Sequence, residues 1–292
     1  MVPFFAEFPM RQALVRSRAP LLGLILAIFG ISPFVAQPVV AQPVVAQQDA
    51  AKTPLAQGED APFALKWHGQ SFFELTTPKG TRVVIDPHAI EAYGRKTIEA
   101  DLVLLSHLHT DHTRLEPITN KDKAKVLQGL KPSAQPGRGA DFNPIEESFK
   151  DINLKTVLLY HDAMEGMQRG KNTAWVLETG GLRIVHLGDL GHKLTREQIR
   201  QIGQVDVLMV PVGGIYTING SEAREVVDQL KPRRIIIPMH HSTRVYEDLL
   251  SPDEFLEDLP KDRIKKLAIN KIEFRASDPV PQAPMIIMPN FE

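Results

Sequence analysis

Three histidines and an aspartate fall within six consecutive residues of this sequence, in the order His-Leu-His-Thr-Asp-His at residues 107–112. In an extended segment, residues two apart face the same side, so His107 and His109 can present both imidazoles to one metal ion. After a turn, Asp111 and His112 can reach a second ion roughly 3.5 to 4 Å away, the usual separation in two-metal hydrolases. A solvated turn is the alternative, but ten histidines in 292 residues make such a cluster rare by chance. The motif therefore predicts half of a two-metal site.

The elements before this motif are short apolar runs separated by turn residues, which predicts strands. Glycine and a Pro-Lys-Gly turn separate the first three, so we expect an antiparallel meander, and the fourth is a nearly continuous apolar strand that leads directly into the motif. These strands are predicted at Phe63–Trp67, Phe72–Thr76, Arg82–Ile85 and Asp101–Leu105. Residues 119–150 are rich in Lys, Pro, Gly and Asp, and only Ala124–Leu127 has strand character. This segment is predicted to be a surface lobe.

The second half alternates between strands and helices. Strands are predicted at Thr156–Tyr160, Thr173–Glu178, Leu182–Leu187, Val205–Val210 and Arg234–Ile237. Helices are predicted at Thr195–Ile202 and at Ser221–Leu230, the second with Ser221 as its N-cap. A strand meander followed by helix and strand alternation indicates an α/β protein in which helices cover sheets.

The N-terminus has the layout of a secretory signal peptide. Arginines precede an apolar run, Leu21–Ile31, and small-residue cleavage sites extend to Ala46. The run is shorter than the roughly 20 residues that span a bilayer, so an uncleaved anchor is the weaker alternative. We expect a signal peptide at 1–46, a linker at 47–61 and a single folded domain at 62–292 that carries the motif. The mature protein is expected to be periplasmic or extracellular, with no stable membrane span after cleavage.

Composition limits the chemistry and the partners. The chain has no cysteine, so a metal site must use histidine and carboxylate ligands. Thirty-four Lys and Arg residues against 35 Asp and Glu give a formal net charge of -1, which provides no global basic field for nucleic acid. A small-molecule substrate is expected, with no nucleic-acid partner. The oligomeric state is left open by the sequence.

The motif at residues 107–112 resembles the H-x-H-x-D-H signature of the metallo-β-lactamase superfamily. Three later segments match the remaining ligand positions of that family in the same order, namely Tyr160-His161-Asp162, His186-Leu187-Gly188-Asp189 and Pro238-Met239-His240. With Trp67-His68-Gly69 and Ile85-Asp86-Pro87, the resemblance covers nearly all of residues 62–242. It implies an α/β fold of the αββα sandwich type, in which two mixed sheets are flanked by helices.

The resemblance also implies a ligand set for two ions. His107, His109 and His161 would hold the first, Asp111, His112 and His240 the second, and Asp189 would bridge them. Zn is implied, with Mn or Fe possible, in a metal-dependent hydrolase that uses a metal-bound hydroxide. Asp111 and Asp189 are then the candidate catalytic residues. His241 adjoins His240, but consecutive strand residues point to opposite faces, so one of the two is the ligand and His240 holds the family position.

Three further segments resemble the Zn-dependent hydrolases similar to ascorbate-6-phosphate lactonase: Arg169-Gly170-Lys171-Asn172, Gly188-Asp189-Leu190-Gly191-His192, and residues 210–218. This branch implies a small ester, lactone or phosphoester as substrate, with His241, Tyr216, Arg169 and Asn172 as candidate substrate contacts. Gln70 departs from it, because many relatives carry His there. The alternatives are a phosphodiesterase or nuclease of the same fold and a catalytically inactive metal-binding protein. A di-iron redox protein would call for Glu in place of His109.

Overall fold

A computed structural model describes residues 60–135 and 139–292. The predicted signal peptide and all of the predicted linker except Asp60 and Ala61 lie outside the described residues. In chain order the elements are β1 (Phe63–Trp67), β2 (Phe73–Thr76), β3 (Arg82–Ile85), a 3₁₀ turn (Glu91–Tyr93), β4 (Leu102–Leu105), β5 (Lys125–Gln128), β6 (Leu130–Pro132), β7 (Ala140–Phe142), β8 (Glu146–Phe149), β9 (Ile152–Tyr160), β10 (Lys171–Thr179), β11 (Leu182–His186), α1 (Arg196–Ile202), β12 (Val207–Pro211), α2 (Gly220–Leu230), β13 (Ile235–Met239), α3 (Asp253–Leu256), a second 3₁₀ turn (Lys261–Arg263), β14 (Ile264–Lys266), β15 (Lys271–Phe274) and β16 (Met285–Met288).

Two mixed sheets form the described domain. The first has six strands in the order β15-β1-β2-β3-β4-β5, and the second has eight in the order β14-β16-β13-β12-β11-β10-β9-β8. Strands β1, β2 and β3 form the predicted antiparallel meander, whereas β3, β4 and β5 run parallel. The second sheet is antiparallel from β8 to β11 and parallel from β11 to β13.

The hydrophobic core lies between the two sheets. Alternate residues of a strand face opposite sides of its sheet, and both sides of the central strands are covered, so these strands are apolar at every position. In β4, Leu102 and Leu104 belong to the central core, while Val103 and Leu105 pack in a separate cluster on the outer face. In β12, Met209 faces the central core and its neighbours pack beneath the helices. Burial on both faces is the reason that these strands carry no polar alternation.

Helices cover the outer face of the second sheet. Helix α2 buries Ala223, Val226 and Leu230 against it. Helix α1 follows the N-cap Thr195, which was predicted as its first residue, and α2 begins two residues earlier than a Ser221 N-cap requires. Asn219 caps α2, because its side chain accepts a hydrogen bond from the backbone N–H of Glu222, and the Glu222 carboxylate accepts one from the backbone N–H of Asn219.

The first sheet has a different outer cover. Segment 86–124, which is fully described, contains one 3₁₀ turn and no α-helix, and its Ile98 and Ile118 pack on the sheet beside Val103 and Leu105. The αββα layering implied by the resemblance is therefore realised with helices on the second sheet and irregular chain on the first.

The prediction that residues 119–150 hold one strand is wrong, because this segment contains all of β5, β6, β7 and β8. In the described residues β6 and β7 pair with each other alone, and β8 pairs with β9 at the edge of the second sheet. These strands carry polar residues because most of their positions are exposed or half-buried. The C-terminal strands β14, β15 and β16, which join both sheets, were not predicted either. Among the described residues, no helix has the length and apolarity to cross a membrane.

Candidate metal centre

Every predicted metal ligand follows the end of a strand, and the structure brings all of these side chains together. The motif at residues 107–112 begins two residues after β4, His161 follows β9, Asp189 lies three residues after β11, and His240 follows β13. Strand ends of both sheets thus meet at one edge of the sandwich. His112 is fully buried, and His107, His161, Asp189 and His240 are almost so, whereas His109 is exposed and Asp111 is partly exposed.

The predicted ligand atoms lie in two groups of three, and these are the two groups that the resemblance implies. Nitrogens of His107, His109 and His161 lie within 4.8 Å of one another, and so do the ligand atoms of Asp111, His112 and His240. His107 Nε2 is 3.1 Å from His109 Nδ1. Two nitrogens bound to one tetrahedral zinc at 2.0–2.1 Å would be about 3.3 Å apart, so this spacing already suits a metal.

Asp189 lies between the two groups. Its Oδ2 is 3.1 Å from His112 Nε2, 3.2 Å from His161 Nε2 and 3.2 Å from His240 Nε2. One oxygen therefore contacts a histidine of the first group and two histidines of the second. This is the position that a bridging carboxylate requires.

Asp86 orients two of these histidines. This buried carboxylate accepts hydrogen bonds from Ser106 N at 2.7 Å and Ser106 Oγ at 2.5 Å, and lies 3.0 Å from His112 Nδ1. Ser106 Oγ is in turn 2.9 Å from His107 Nδ1. When Nδ1–H of each neutral imidazole donates toward this network, Nε2 of His107 and His112 is the nitrogen left to bind a metal, once any proton on it has been displaced.

Asp189 is held by groups that leave its Oδ2 free for the cluster. Ser71 Oγ donates to Asp189 Oδ1 at 3.1 Å, and the backbone N–H of Asp189 donates to Asn172 Oδ1. His186 connects these supports, since its Nε2 donates to Ser71 O and its Nδ1 accepts from Gly188 N. Gly188 has φ of +54°, and a Cβ there would lie 2.3 Å from Asn172 Oδ1. Only glycine fits this approach.

The structure does not place two of the predicted substrate contacts, Asn172 and His241, at the cleft. Asn172 is fully buried, and its amide is used by the carbonyl of Leu187 and by the backbone of Asp189. His241 packs against Trp67 with ring centroids 5.1 Å apart, and its Nδ1 donates to Ser242 O. Burial lowers the pKa of His241 to about 4. Neither side chain faces the cleft beside the cluster.

The separation of His240 from His241 depends on backbone conformation. His240 has φ of +50°, which turns its imidazole toward Asp189 while the chain continues away. Its N–H donates to the carbonyl oxygen of Gln70, which also accepts from Trp67 Nε1. Gln70, at the position where the lactonase-like branch carries His, thus acts here through its backbone.

A cleft of about 440 Å³ opens over the cluster and is lined by His109, Asp111, His161, Gln168, Arg169, Asp189, Tyr216 and His240. The structure thus places the predicted contacts Arg169 and Tyr216 at the cleft. Sequence reasoning missed Gln168 on the wall, and Asp86, Ser106 and Ser71 behind it. For Asp86 a signal existed, because it belongs to a segment that already resembled the family.

The cluster is electrostatically coupled. Burial lowers the pKa of His107 well below its usual value, and the nearby His112 lowers it further. Burial alone would lower the pKa of His112 too, but the charge of Asp189 raises it well above the usual value. Burial would raise the pKa of Asp111, yet the adjacent His112 imidazole lowers it to about 2. Asp111 is therefore ionised at neutral pH.

Known proteins share both the sequence pattern and the fold. A model of the beta-lactamase superfamily domain matches residues 64–240, a span that contains every ligand of the cluster. The chain belongs to the metallo-β-lactamase superfamily. A solved structure from Thermotoga maritima, assigned to the Zn-dependent hydrolases of this superfamily, is 31% identical with a TM-score of 0.56, and the match covers 77% of this chain and 97% of that one.

Curated relatives include a protein named as a metal-dependent hydrolase. This UPF0173 metal-dependent hydrolase of Cupriavidus taiwanensis is 29% identical over an alignment of 235 positions that covers 66% of this chain and 80% of the relative. A UPF0173 protein of Pyrococcus furiosus is 29% identical over an alignment of 206 positions that covers 68% of this chain and 91% of the relative. The chain is a metal-dependent hydrolase.

Proposed function

We propose that this superfamily member is a two-metal hydrolase of a small ester, lactone or phosphoester. The observation that supports it is the placement of Asp189 Oδ2, within 3.2 Å of Nε2 atoms from both ligand groups. A single-metal site needs no oxygen at that position. The seven side chains offer only imidazole nitrogens and carboxylate oxygens, a set that favours Zn, with Mn or Fe as substitutes.

The residues fit such ions without rearrangement of their supports. His112 Nε2 is buried 3.1 Å from Asp189 Oδ2 and 3.4 Å from Asp111 Oδ2, without the geometry of a hydrogen bond, while its Nδ1 contacts Asp86. A buried nitrogen that faces two carboxylates in this way is suited to share a metal ion with them. Ions bound there would lower the pKa of a water molecule and polarise the bond to be cleaved.

The chain's own residues hold the two ligand groups in place and orient the attacking water. Asp189 holds the two ligand groups at one spacing through Oδ2, while Ser71 fixes its other oxygen. Asp111 is ionised and about 40% exposed at the cleft, so it can orient the attacking water. No protein nucleophile is required, which agrees with the absence of cysteine.

The cleft supports a small substrate. It measures about 440 Å³, and in the described residues its wall carries a single cationic side chain, Arg169. Binding of a polynucleotide relies on several phosphate contacts along a basic surface, so we do not expect a nucleic-acid substrate. We also propose that the enzyme is exported, on the basis of its N-terminal sequence pattern.

The test is turnover by purified, zinc-loaded protein on lactones, carboxylic esters, bis(4-nitrophenyl) phosphate and single-stranded oligonucleotides. We expect the highest kcat/KM on a lactone or ester, and loss of activity on chelation. His161→Ala should abolish turnover, and His192→Ala is the matched control, because His192 contacts the backbone of Tyr160 and Lys193 and no side chain of the cluster. A preference for oligonucleotides would contradict the substrate class. Full metal occupancy without turnover of any substrate would favour an inactive metal-binding protein.

A further inference from the structure

Arg169 stands at the junction of two cavities. It borders the cleft over the metal cluster and also a neighbouring cavity of about 350 Å³, and His109 borders both. Its Nη2 donates to the carbonyl oxygen of Ile215 at 2.8 Å, and its guanidinium lies over the ring of Tyr216, 5.6 Å from the centroid. A guanidinium carries five N–H donors, so most of them remain available to a ligand.

The guanidinium of Arg169 has no ion-pair partner in the part of the chain that the structure describes. Lys171, two residues away, instead contacts Asp141 Oδ1 at 3.2 Å and the carbonyl of Ala140 at 2.9 Å. Arg169 is only partly exposed, so its positive charge is presented toward the cavities with less screening than on an open surface.

A buried carboxylate fixes the loop that carries Arg169. Asp162 Oδ1 accepts hydrogen bonds from the backbone of Met164 at 2.8 Å and of Gly166 at 3.0 Å. Its Oδ2 accepts from the backbone of Gln168 at 3.0 Å and of Arg169 at 2.7 Å. Four charge-assisted bonds to one carboxylate make this loop a rigid support.

The partner of Arg169 across the cleft is strained. Ile215 has φ of +56°, a conformation that β-branched residues rarely adopt, and this conformation accompanies the contact of its carbonyl with Arg169. Backbone strain of this kind is retained mainly at functional sites. The loop held by Asp162 and the loop that contains Ile215 therefore meet at the guanidinium of Arg169.

We propose that Arg169 is a specificity-determining residue that binds an anionic group, carboxylate or phosphate, on the part of the substrate that does not react. Asp162 is the positioning residue that presents Arg169. This proposal rests on the proposed ester or lactone hydrolysis and adds the charge of the substrate to it. The anion is recognised by the guanidinium, while the scissile bond lies at the metal cluster within the same cleft.

The experiment compares three 4-nitrophenyl esters on the full, zinc-loaded protein: mono-4-nitrophenyl adipate, its neutral isostere 4-nitrophenyl 6-methylheptanoate, and the longer 4-nitrophenyl 6-phosphonooxyhexanoate. The readout is the preference ratio, kcat/KM on an anionic ester divided by kcat/KM on the neutral one. We expect Arg169→Gln to lower this ratio about 10- to 100-fold, as expected for loss of a hydrogen bond between charged groups. Arg169→Lys should fall between, because a lysine lacks the bidentate fork.

Asp162→Asn tests the positioning role. Its amide would face two backbone N–H groups where Oδ2 now accepts, so the loop should shift and KM for the anionic ester should rise more than kcat falls. Lys171→Gln is the matched control and should change the preference ratio by less than about twofold, because Lys171 is already paired. The metal content of each variant is measured alongside.

The outcomes distinguish failure of the Arg169 assignment from failure of the proposed hydrolase function. A preference ratio that survives Arg169→Gln overturns the assignment while leaving the hydrolase intact, and a loss of metal in Asp162→Asn overturns the positioning role. If no ester is turned over, the proposed function fails. Calorimetric binding of adipate and of 6-phosphonooxyhexanoate then decides Arg169 independently: weakening by about tenfold or more in Arg169→Gln supports it, and equal binding overturns it. The ligand that depends more on Arg169 identifies carboxylate or phosphate as the group recognised.

Discussion

Replacing Asp86 by asparagine should impair the metal centre although Asp86 is not one of its proposed ligands. The substitution preserves shape and one acceptor oxygen, which can still bind the backbone N–H of Ser106. The second oxygen becomes an NH₂ donor facing Ser106 Oγ and His112 Nδ1, which now lie 2.5 and 3.0 Å from Asp86 Oδ2. To avoid two opposed donors, His112 must accept at Nδ1 and carry its proton on Nε2. That nitrogen is the one directed at Asp189 and Asp111.

The size of the effect follows from what His112 loses. The wrong tautomer must be corrected before a metal binds, and loss of such an orienting partner typically costs 10–100-fold in metal affinity, about 1.4 to 2.8 kcal/mol. The ion held by His112 should be affected more than the one held by His107, whose link to Asp86 passes through the Ser106 hydroxyl. Two charge-assisted hydrogen bonds also disappear, so the free energy of unfolding should fall by about 1 to 3 kcal/mol.

The assay is competition with a chromophoric zinc chelator, which yields two dissociation constants, together with urea unfolding. Asp206→Asn is the matched control, since Asp206 is an equally buried aspartate that accepts from the backbone of Arg183 and pairs with Arg233 Nη2 at 2.6 Å, away from the cluster. It should lower stability and leave zinc affinity unchanged. If Asp86→Asn binds both ions as tightly as the unmodified protein, the tautomer argument is refuted.

Four shorter predictions concern the metal centre and the N-terminus. Asp189→Ala should weaken binding of both ions, and metal analysis showing full occupancy would sink the bridging assignment. The charge of Asp189 raises the pKa of His112 although burial opposes this, so a metal must displace a proton from His112. Zinc affinity should therefore fall by at least about tenfold from pH 8 to pH 6, and an affinity that does not change with pH would contradict this. Gly191→Ala would put a Cβ 2.2 Å from the carbonyl carbon of His161, and should reduce zinc affinity while Gly181→Ala, in open space, does not. N-terminal sequencing of exported protein should find the first residue between about 37 and 52, and an intact Met1 would exclude cleavage.

From the sequence alone came the strand that leads into the motif and the ligand candidates within residues 107–112, because these depend on local spacing. The family and the candidates His161, Asp189 and His240 came from the resemblance, through the order of the matching segments. Two histidines two apart on extended chain must share a side, and the strand period accounts for a core that is apolar on both faces of β4 and β12. Residues 119–150 and the C-terminal strands escaped prediction for two different reasons. Strand β8 is mostly polar although it pairs with the adjacent β9, and β16 is apolar but short, with its partner β13 distant in sequence.

Tertiary structure decided which polar residues face the cleft. Asn172 and Arg169 are three residues apart, yet Asn172 is buried beneath Gly188 and Arg169 lines the opening. His240 and His241 are adjacent, and a positive φ sends only the first to Asp189. Asp86 lies 26 residues from His112 in sequence but contacts its Nδ1. Such roles depend on how separate strand ends meet in the fold. The packing of neighbouring residues sets the direction of a side chain, and the residue type alone does not reveal that direction.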